Sequence, residues 1–296
     1  MTLLSPPRPG HTVWRRFRRH RGAVAGAAVL GFLVLAVLLG PWLWSLDPTY
    51  IDVRARSAGP SPAHPLGTDQ LGRDMLARLL AGGRVSIAVG LAAMAVSLGL
   101  GTLIGVLAGF FRRLDSLLMR LTDLFLALPV IPLVLVAVML FREPLNHSFG
   151  PQAGIFVLVV LAIGLTSWMP TARVVRGAVL ELKEREFILA ARGIGTPDAA
   201  IITRHVLPNV ASPILVSAAL GTANAILTES ALSFLGLGFP PDFPTWGRLL
   251  SDATVYLQDY PGRALWPGGL ICLTVLGVNY LGDGLRDAFD IRGDAR

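Results

Sequence analysis

Charge is scarce in this sequence. Asp, Glu, Lys and Arg make up 15% of its 296 residues, and the mean hydropathy is +0.61. A water-soluble domain needs more charge to cover its surface, so these values point to lipid as the solvent. Cysteine occurs once, at Cys272 within an apolar run, which excludes an internal disulfide and a thiolate metal centre. The five histidines (11, 20, 64, 147 and 205) lack the spacing of metal ligands. There is no GxSxG, no HExxH and no Cys/His cluster, so no membrane-embedded enzyme is recognisable. Lysine occurs once, as Lys183 preceded by Leu182, which excludes a Gly-Lys-Ser/Thr phosphate loop for ATP.

What is present is a set of long apolar runs. Six stretches contain no Asp, Glu, Lys or Arg: residues 22–46, 85–111, 124–141, 144–172, 205–228 and 264–282. A hydrocarbon core about 30 Å thick takes roughly 20 helical residues, so each run is long enough to span. None alternates polar and apolar residues over a strand length, which argues against a barrel. Basic residues then set the orientation. Counted in alternating connections, 18 of the 26 Lys and Arg fall on the side that holds both termini and 8 on the other, which places both termini in the cytoplasm. The same asymmetry explains a pI near 10.6 without nucleic acid, because the arginines flank spans and meet anionic lipid. The N-terminus has the basic-then-apolar order of a signal peptide. Its apolar run is longer than a signal core and lacks an obvious cleavage site, so it is expected to remain as the first span.

These signals divide the chain. Residues 1–21 form a cytoplasmic tail and 22–46 the first membrane helix. Residues 47–84 form an external loop, 85–288 a membrane core interrupted by a cytoplasmic loop at 173–208, and 289–296 a second cytoplasmic tail. Within the external loop, Thr68 or Asp69 can cap a helix whose Leu71, Met75, Leu76, Leu79 and Leu80 share one face, with Arg73, Asp74 and Arg78 off it. That pattern fits an amphipathic helix on the outer interface, or equally the entrance of the next span. Gly101, Gly105 and Gly109 make a stripe along which a second helix can pack closely.

The loop at 173–208 is far longer than a connection requires. Residues 181–192 read as helix, and Gly193 and Gly195 can end it in left-handed geometry. Thr196 can cap the next helix, with Pro197 first and Asp198 on its positive end. Two short helices on a tight turn make a rigid projection into the cytoplasm.

At this loop the sequence becomes specific. Ala190, Ala191, Gly195 and the run His205-Val206-Leu207-Pro208 resemble the EAA loop of ABC importer permeases, with Leu189 and His205 in place of that pattern's Glu and Ile. The ending Arg204 to Asn209 (RHVLPN) resembles the dipeptide/oligopeptide branch. Three further segments agree: 64–74 (HPLGTDQLGRD), 229–238 (ESALSFLGLG) with Pro240, Pro241, Thr245, Trp246 and Gly247 after it, and Pro261, Gly262 with 281–287 (LGDGLRD). The resemblance covers nearly the whole chain, in order.

It implies an all-α integral membrane protein of about six spans, like a type I ABC importer permease, in a bacterial or archaeal inner (plasma) membrane. The implied function is the pore-forming subunit of an ATP-driven importer of di- or oligopeptides. The same branch also carries nickel chelates, glutathione and other small solutes. A proton-coupled carrier acting through Asp123, Glu229 and Asp283 is a more distant alternative, set against an anchoring role for carboxylates at span ends. The implied partners are a homologous second permease in a heterodimer, one or two cytoplasmic ATP-binding subunits, an external (periplasmic) substrate-binding protein and membrane lipid, with no nucleic acid. ATP and Mg would be used by the ATPase partners, and no cofactor is expected on this chain, which would not itself be an enzyme. In the projection, Ala190, Ala191, Gly193 and Gly195 would form the close-contact surface, Glu186 and Arg192 polar anchors, and Leu207 and Pro208 the return to the membrane. Ser217, Asn224, Thr228, Glu229 and Asn279 are candidates for the pore or its gate, with Ser167, Thr222 and Thr274 as further polar residues of the spans.

Overall fold

The computed structural model describes residues 9–289, with side chains from Trp14 onward. Arg8, Arg292 and Arg296, and the tail from 290, lie outside the described residues. The described residues form thirteen helices in chain order. They are α1 (Pro9–Arg19), α2 (Arg21–Leu43), α3 (Met75–Phe110), α4 (Arg112–Ala127), α5 (Val130–Phe149), α6 (Pro151–Thr166), α7 (Met169–Leu182), α8 (Glu186–Gly193), α9 (Asp198–Ile201), α10 (Leu207–Asn209), α11 (Ala211–Phe234), α12 (Trp246–Thr254) and α13 (Gly262–Phe289). Five of them are long and apolar enough to cross a membrane, and α6 with α7, bent by 44°, makes a sixth crossing.

The bend has a covalent cause. Pro170 has no N–H to give the Thr166 carbonyl, so the helix breaks at Ser167 and Trp168 and restarts in a new direction. The predicted fourth span at 144–172 therefore shifts. It begins at Pro151 and carries on, past its break, into what the sequence suggested was loop. The third span also runs later than predicted, because α5 continues through Pro144 to Phe149.

The largest correction concerns the second span. Neither Thr68 nor Asp69 caps a helix. Asp74 does, accepting from the Ala77 N–H at 2.7 Å, and α3 then runs unbroken for 36 residues. At 1.5 Å per residue that is about 54 Å. Among the described residues, the predicted external segment holds no separate interfacial helix, since the stretch around Met75, Leu79 and Arg78 is buried against other protein. Arg78 is off the predicted apolar face because it is bound to Asp69 inside the protein, at 2.6 Å.

The glycine stripe does pack. α7 lies along α3 so closely that a Cβ at Gly101 would stand 2.7 Å from the Trp168 carbonyl, and one at Gly105 2.6 Å from that of Ala172. At Gly109 it would meet Val179 Cβ at 2.7 Å. Apolar packing alone gives little drive between helices in lipid, so this close approach is what holds them.

α8–α10 pack on the C-terminal end of α3, and α1 lies against the C-terminal part of α13 at that same end, since α2 runs antiparallel to α3 with Gly40 against Leu80. The opposite end holds residues 44–74 and α12, a helix the Gly- and Pro-rich sequence did not suggest. Thr245 caps α12 by accepting from the Arg248 N–H, and Trp246, fully buried, donates to the Leu79 carbonyl at 3.0 Å.

Candidate functional site: a cleft coupled to a projecting helix

Two features stand out, and one helix joins them. The first is a cleft of about 660 Å³. Its walls come from three places where helices are interrupted or exposed: the α4–α5 junction (Leu126, Val130, Ile131), the α6–α7 bend (Thr166, Ser167, Met169, Pro170, Thr171, Val174) and one face of α11. Of the predicted pore residues, Ser217, Asn224 and Thr228 lie on that face, four and seven residues apart as a helix requires, and Ser167 faces them from the bend. Thr166, whose hydroxyl is given to the Ala162 carbonyl, and Thr171 are the other polar residues of the wall, and the rest is apolar. Thr228 gives its hydroxyl to the Asn224 carbonyl, so Ser217 and Asn224 supply the freer polar groups.

Glu229 and Asn279 are not among the cleft residues. Glu229 points to the other side of α11 and is fully buried, accepting from Ser233 Oγ at 2.7 Å, with Ser86 and Thr245 beside it. That burial also overturns the expectation that it escapes to an interface from the end of a span. It ties α11 to α3 and the start of α12. Thr222 and Thr274 donate to carbonyls of their own helices, at Ala218 and Leu270.

The second feature is α8. The predicted helix at 181–192 is in fact two, because the chain turns at Lys183 to Arg185. The turn lets Ile188, fully buried, join Val106, Phe110, Val175, Val179 and Ile201 in a small core. Ala191 belongs to that core as well, so it faces inward and is no part of an outer contact surface. Glu186, Ala190, Arg192, Gly193 and Gly195 are exposed. Arg192 lays its guanidinium over the Phe110 ring at 4.8 Å. Gly195 alone has left-handed geometry (φ +77°), while Gly193 remains in the helix. The Thr196 N–H reaches the Ala191 carbonyl and the Gly195 N–H that of Arg192, the paired bonds of a Schellman ending.

Thr196 does not cap the next helix. Pro197 occupies the cap position, and α9 begins at Asp198. A single π-turn over Ile202–Val206 leads to Leu207, half-buried, and Pro208, exposed. Pro208 has no N–H to continue a regular ladder, and Asn209 Nδ2 donates to the His205 carbonyl at 2.7 Å.

Sequence reasoning missed the apolar residues at the tip: Phe187, Leu189 and above all Ile194, which is 84% exposed. An apolar run interrupted by Gly193 and Gly195 was the available signal.

α7 connects the two features. Its first turn lines the cleft, its length is seamed to α3, and its end leads into α8. Two arginines brace it against α4. Arg176 grips Asp115 with both arms (2.5 and 2.7 Å), and Arg173 reaches Asp123 at 2.5 Å. The hydrogen bond from Arg176 holds the Asp115 carboxyl below the usual carboxylate range. Lys183 adds a bond to the Gly109 carbonyl at 3.1 Å. α7 is thus a braced helix with the cleft wall at one end and α8 at the other.

Known proteins share both the membrane core and the N-terminal segment. Residues 101–292 match the family model "Binding-protein-dependent transport system inner membrane component". Residues 8–60 match "N-terminal TM domain of oligopeptide transport permease C". A permease protein of Brucella suis biovar 1 is 42% identical over 94% of this chain and 90% of its own length. The oligopeptide transport system permease proteins OppC of Haemophilus influenzae and Bacillus subtilis are 38% and 36% identical, over 95% and 93% of this chain and 89% and 87% of theirs.

Proposed function

The chain belongs to the family of inner membrane components of binding-protein-dependent transport systems, and we propose from that premise that it is the pore-forming permease subunit of an ATP-driven importer of di- and oligopeptides. The observation that carries this reading is the braced path from the exposed α8 tip along α7 to the cleft. A sequence without a phosphate loop needs force from another chain, and α8 is a handle through which a partner can apply it. The peptide cargo rests on the names of the oligopeptide permease relatives. A cleft with apolar walls and a few polar groups suits a cargo whose side chains vary.

The end bearing α1 and α8–α10 faces the cytoplasm in this reading, since Arg15, Arg16, Arg18, Arg19 and Arg21 lie there beside the first span. The cleft is open on one side, with polar groups that lipid would leave unsatisfied. A homologous second permease closing that side gives a complete pathway. Cytoplasmic ATPase subunits use ATP and Mg, and a substrate-binding protein delivers cargo at the opposite end. This chain catalyses no reaction itself and carries no cofactor.

The test is purification through a tag on this chain, then reconstitution into liposomes with the co-purifying subunits and the binding protein. Labelled tripeptide should accumulate only with ATP and stop with vanadate. Absence of any co-purifying ATPase, or uptake that persists without ATP and collapses with a proton ionophore, would falsify the reading.

A further inference from the structure

The end of the bundle away from α8 holds a concentration of buried charge that transport does not explain. Four guanidinium groups, from Arg73, Arg78, Arg248 and Arg263, gather around two carboxylates, Asp69 and Asp252. Asp69 Oδ2 alone takes both Arg73 Nε (2.7 Å) and Arg78 Nη1 (2.6 Å). Asp252 Oδ1 lies 3.0 Å from Arg248 Nε, while its other oxygen is 3.7 Å from Arg78 Nη2, beyond hydrogen-bond reach. Arg263 has no carboxylate within ion-pair distance among the described residues. Its guanidinium instead stacks over the rings of Tyr260 and Tyr256, at 4.1 and 5.6 Å. The nearby Asp74 is engaged elsewhere, with His64, Trp44 and the first turn of α3.

These side chains are well out of solvent: Arg78 is 1% exposed and Arg263 6%. Arg78 Nε and Nη2 and both terminal nitrogens of Arg263 are buried without a hydrogen-bond acceptor among the described residues. Arg78 and Arg263 line one small cavity of about 10 Å³, with Asp69 and Asp252 at its polar wall and Met75 and Leu249 at its apolar one. A buried donor without an acceptor is costly, and a buried charge without a counter-charge more so.

We propose that this cavity is a binding site for a single monovalent anion of halide size, held between Arg78 and Arg263. The volume decides the class of ligand. About 10 Å³ accepts one particle near the size of water. A phosphate, a sulfate or a carboxylate with its carbon frame does not fit. A water satisfies some N–H groups but brings no charge, whereas a halide accepts from the same groups and also cancels one of the two positive charges by which the guanidiniums outnumber Asp69 and Asp252. Bound there, it links the loop before α3, the first turn of α3, α12 and the start of α13 into one unit.

The test uses the full-length chain in its assembled transporter, in nanodiscs. Its unfolding midpoint is tracked while gluconate is replaced by chloride or bromide at constant ionic strength. We expect a saturable rise of about 2 °C with either halide. In Arg263→Met the rise should disappear, since the excess charge is reduced and half the donors are gone. A midpoint indifferent to the anion, or an equal rise in the variant, overturns the proposal. Should that variant fail to assemble, bromide-grown crystals of the unaltered protein decide. An anomalous peak within about 3.5 Å of both guanidiniums supports the site, and an ordered water there without bromide signal overturns it.

Discussion

Arg84 supplies the donor that Pro41 lacks. Pro41 sits inside α2 and has no N–H for the Val37 carbonyl, and the Arg84 guanidinium fills that role from α3, with Nε 2.6 Å from Val37 O and Nη2 2.6 Å from Leu38 O. An arginine in a membrane helix is thereby explained by a proline in its neighbour. Arg84→Ala should lower the stability of the assembled protein by about 1–2 kcal/mol, as judged by thermal unfolding in detergent. In a Pro41→Ala background, where the backbone donor returns, the same change should cost measurably less. Equal costs in both backgrounds would separate the two residues.

Ile194 touches little and protrudes at the α8 tip, so Ile194→Glu should leave membrane insertion and yield unchanged. ATP-driven uptake should fall at least tenfold, and the ATPase should be recovered in lower amount with the tagged chain. Gly195→Glu should behave alike, with an added cost of about 1–2 kcal/mol because a side chain is forced to φ +77°. Normal uptake by both variants would remove α8 from the docking surface.

Gly105→Leu tests the seam between α3 and α7. Its added atoms would collide with the Ala172 carbonyl and Val175, which are backbone and β-branched core with little room to move. The protein should accumulate poorly and unfold at lower temperature. A change at Gly99, which has open space around it, should be tolerated.

The Asp115–Arg176 bracket predicts a pH signature. The folded carboxyl titrates below its unfolded value, so its stabilisation is complete above the ordinary carboxylate pKa and is lost as pH falls through the folded one. Asp115→Asn should therefore be less stable than the parent at pH 7. The gap should close on acidification below about pH 4. A gap that is constant down to the lowest workable pH would show that charge is not its source.

In the cleft, Asn224→Trp should block uptake by filling the path between α11 and the α6–α7 bend. ATPase subunits should still co-purify, because α8 is untouched. Undiminished uptake of a tripeptide would place the path elsewhere.

Much of this architecture is legible in the amino-acid order, and the exceptions share a cause. The apolar runs foretell the spans because lipid demands length and apolarity of each helix separately. The stripe of Gly101, Gly105 and Gly109 likewise foretells a contact, since spacing of small residues is local information. Ser217, Asn224 and Thr228 share a cleft wall for the same reason. By contrast, Arg78 looks like a solvated face until Asp69 and Asp252 are seen around it. Glu229 reads as a residue near the end of a span until Ser233, Ser86 and Thr245 enclose it. Ala191 resembles its neighbour Ala190, yet a turn at Lys183 sends it inward. Each of these depends on partners distant in sequence, and no window along the chain contains them.

α3 runs about 54 Å without a break. One end carries the Asp69–Arg78 cluster, and the other is seamed by Gly109 to the helix that leads into α8. α6 and α7, by contrast, are jointed at Ser167 and Trp168. The molecule thus has one unbroken helix beside one bent pair. In the function proposed above, a pull on α8 would carry α7 together with α3, and the joint at Ser167 and Trp168, at the depth of the cleft, is where α6 need not follow.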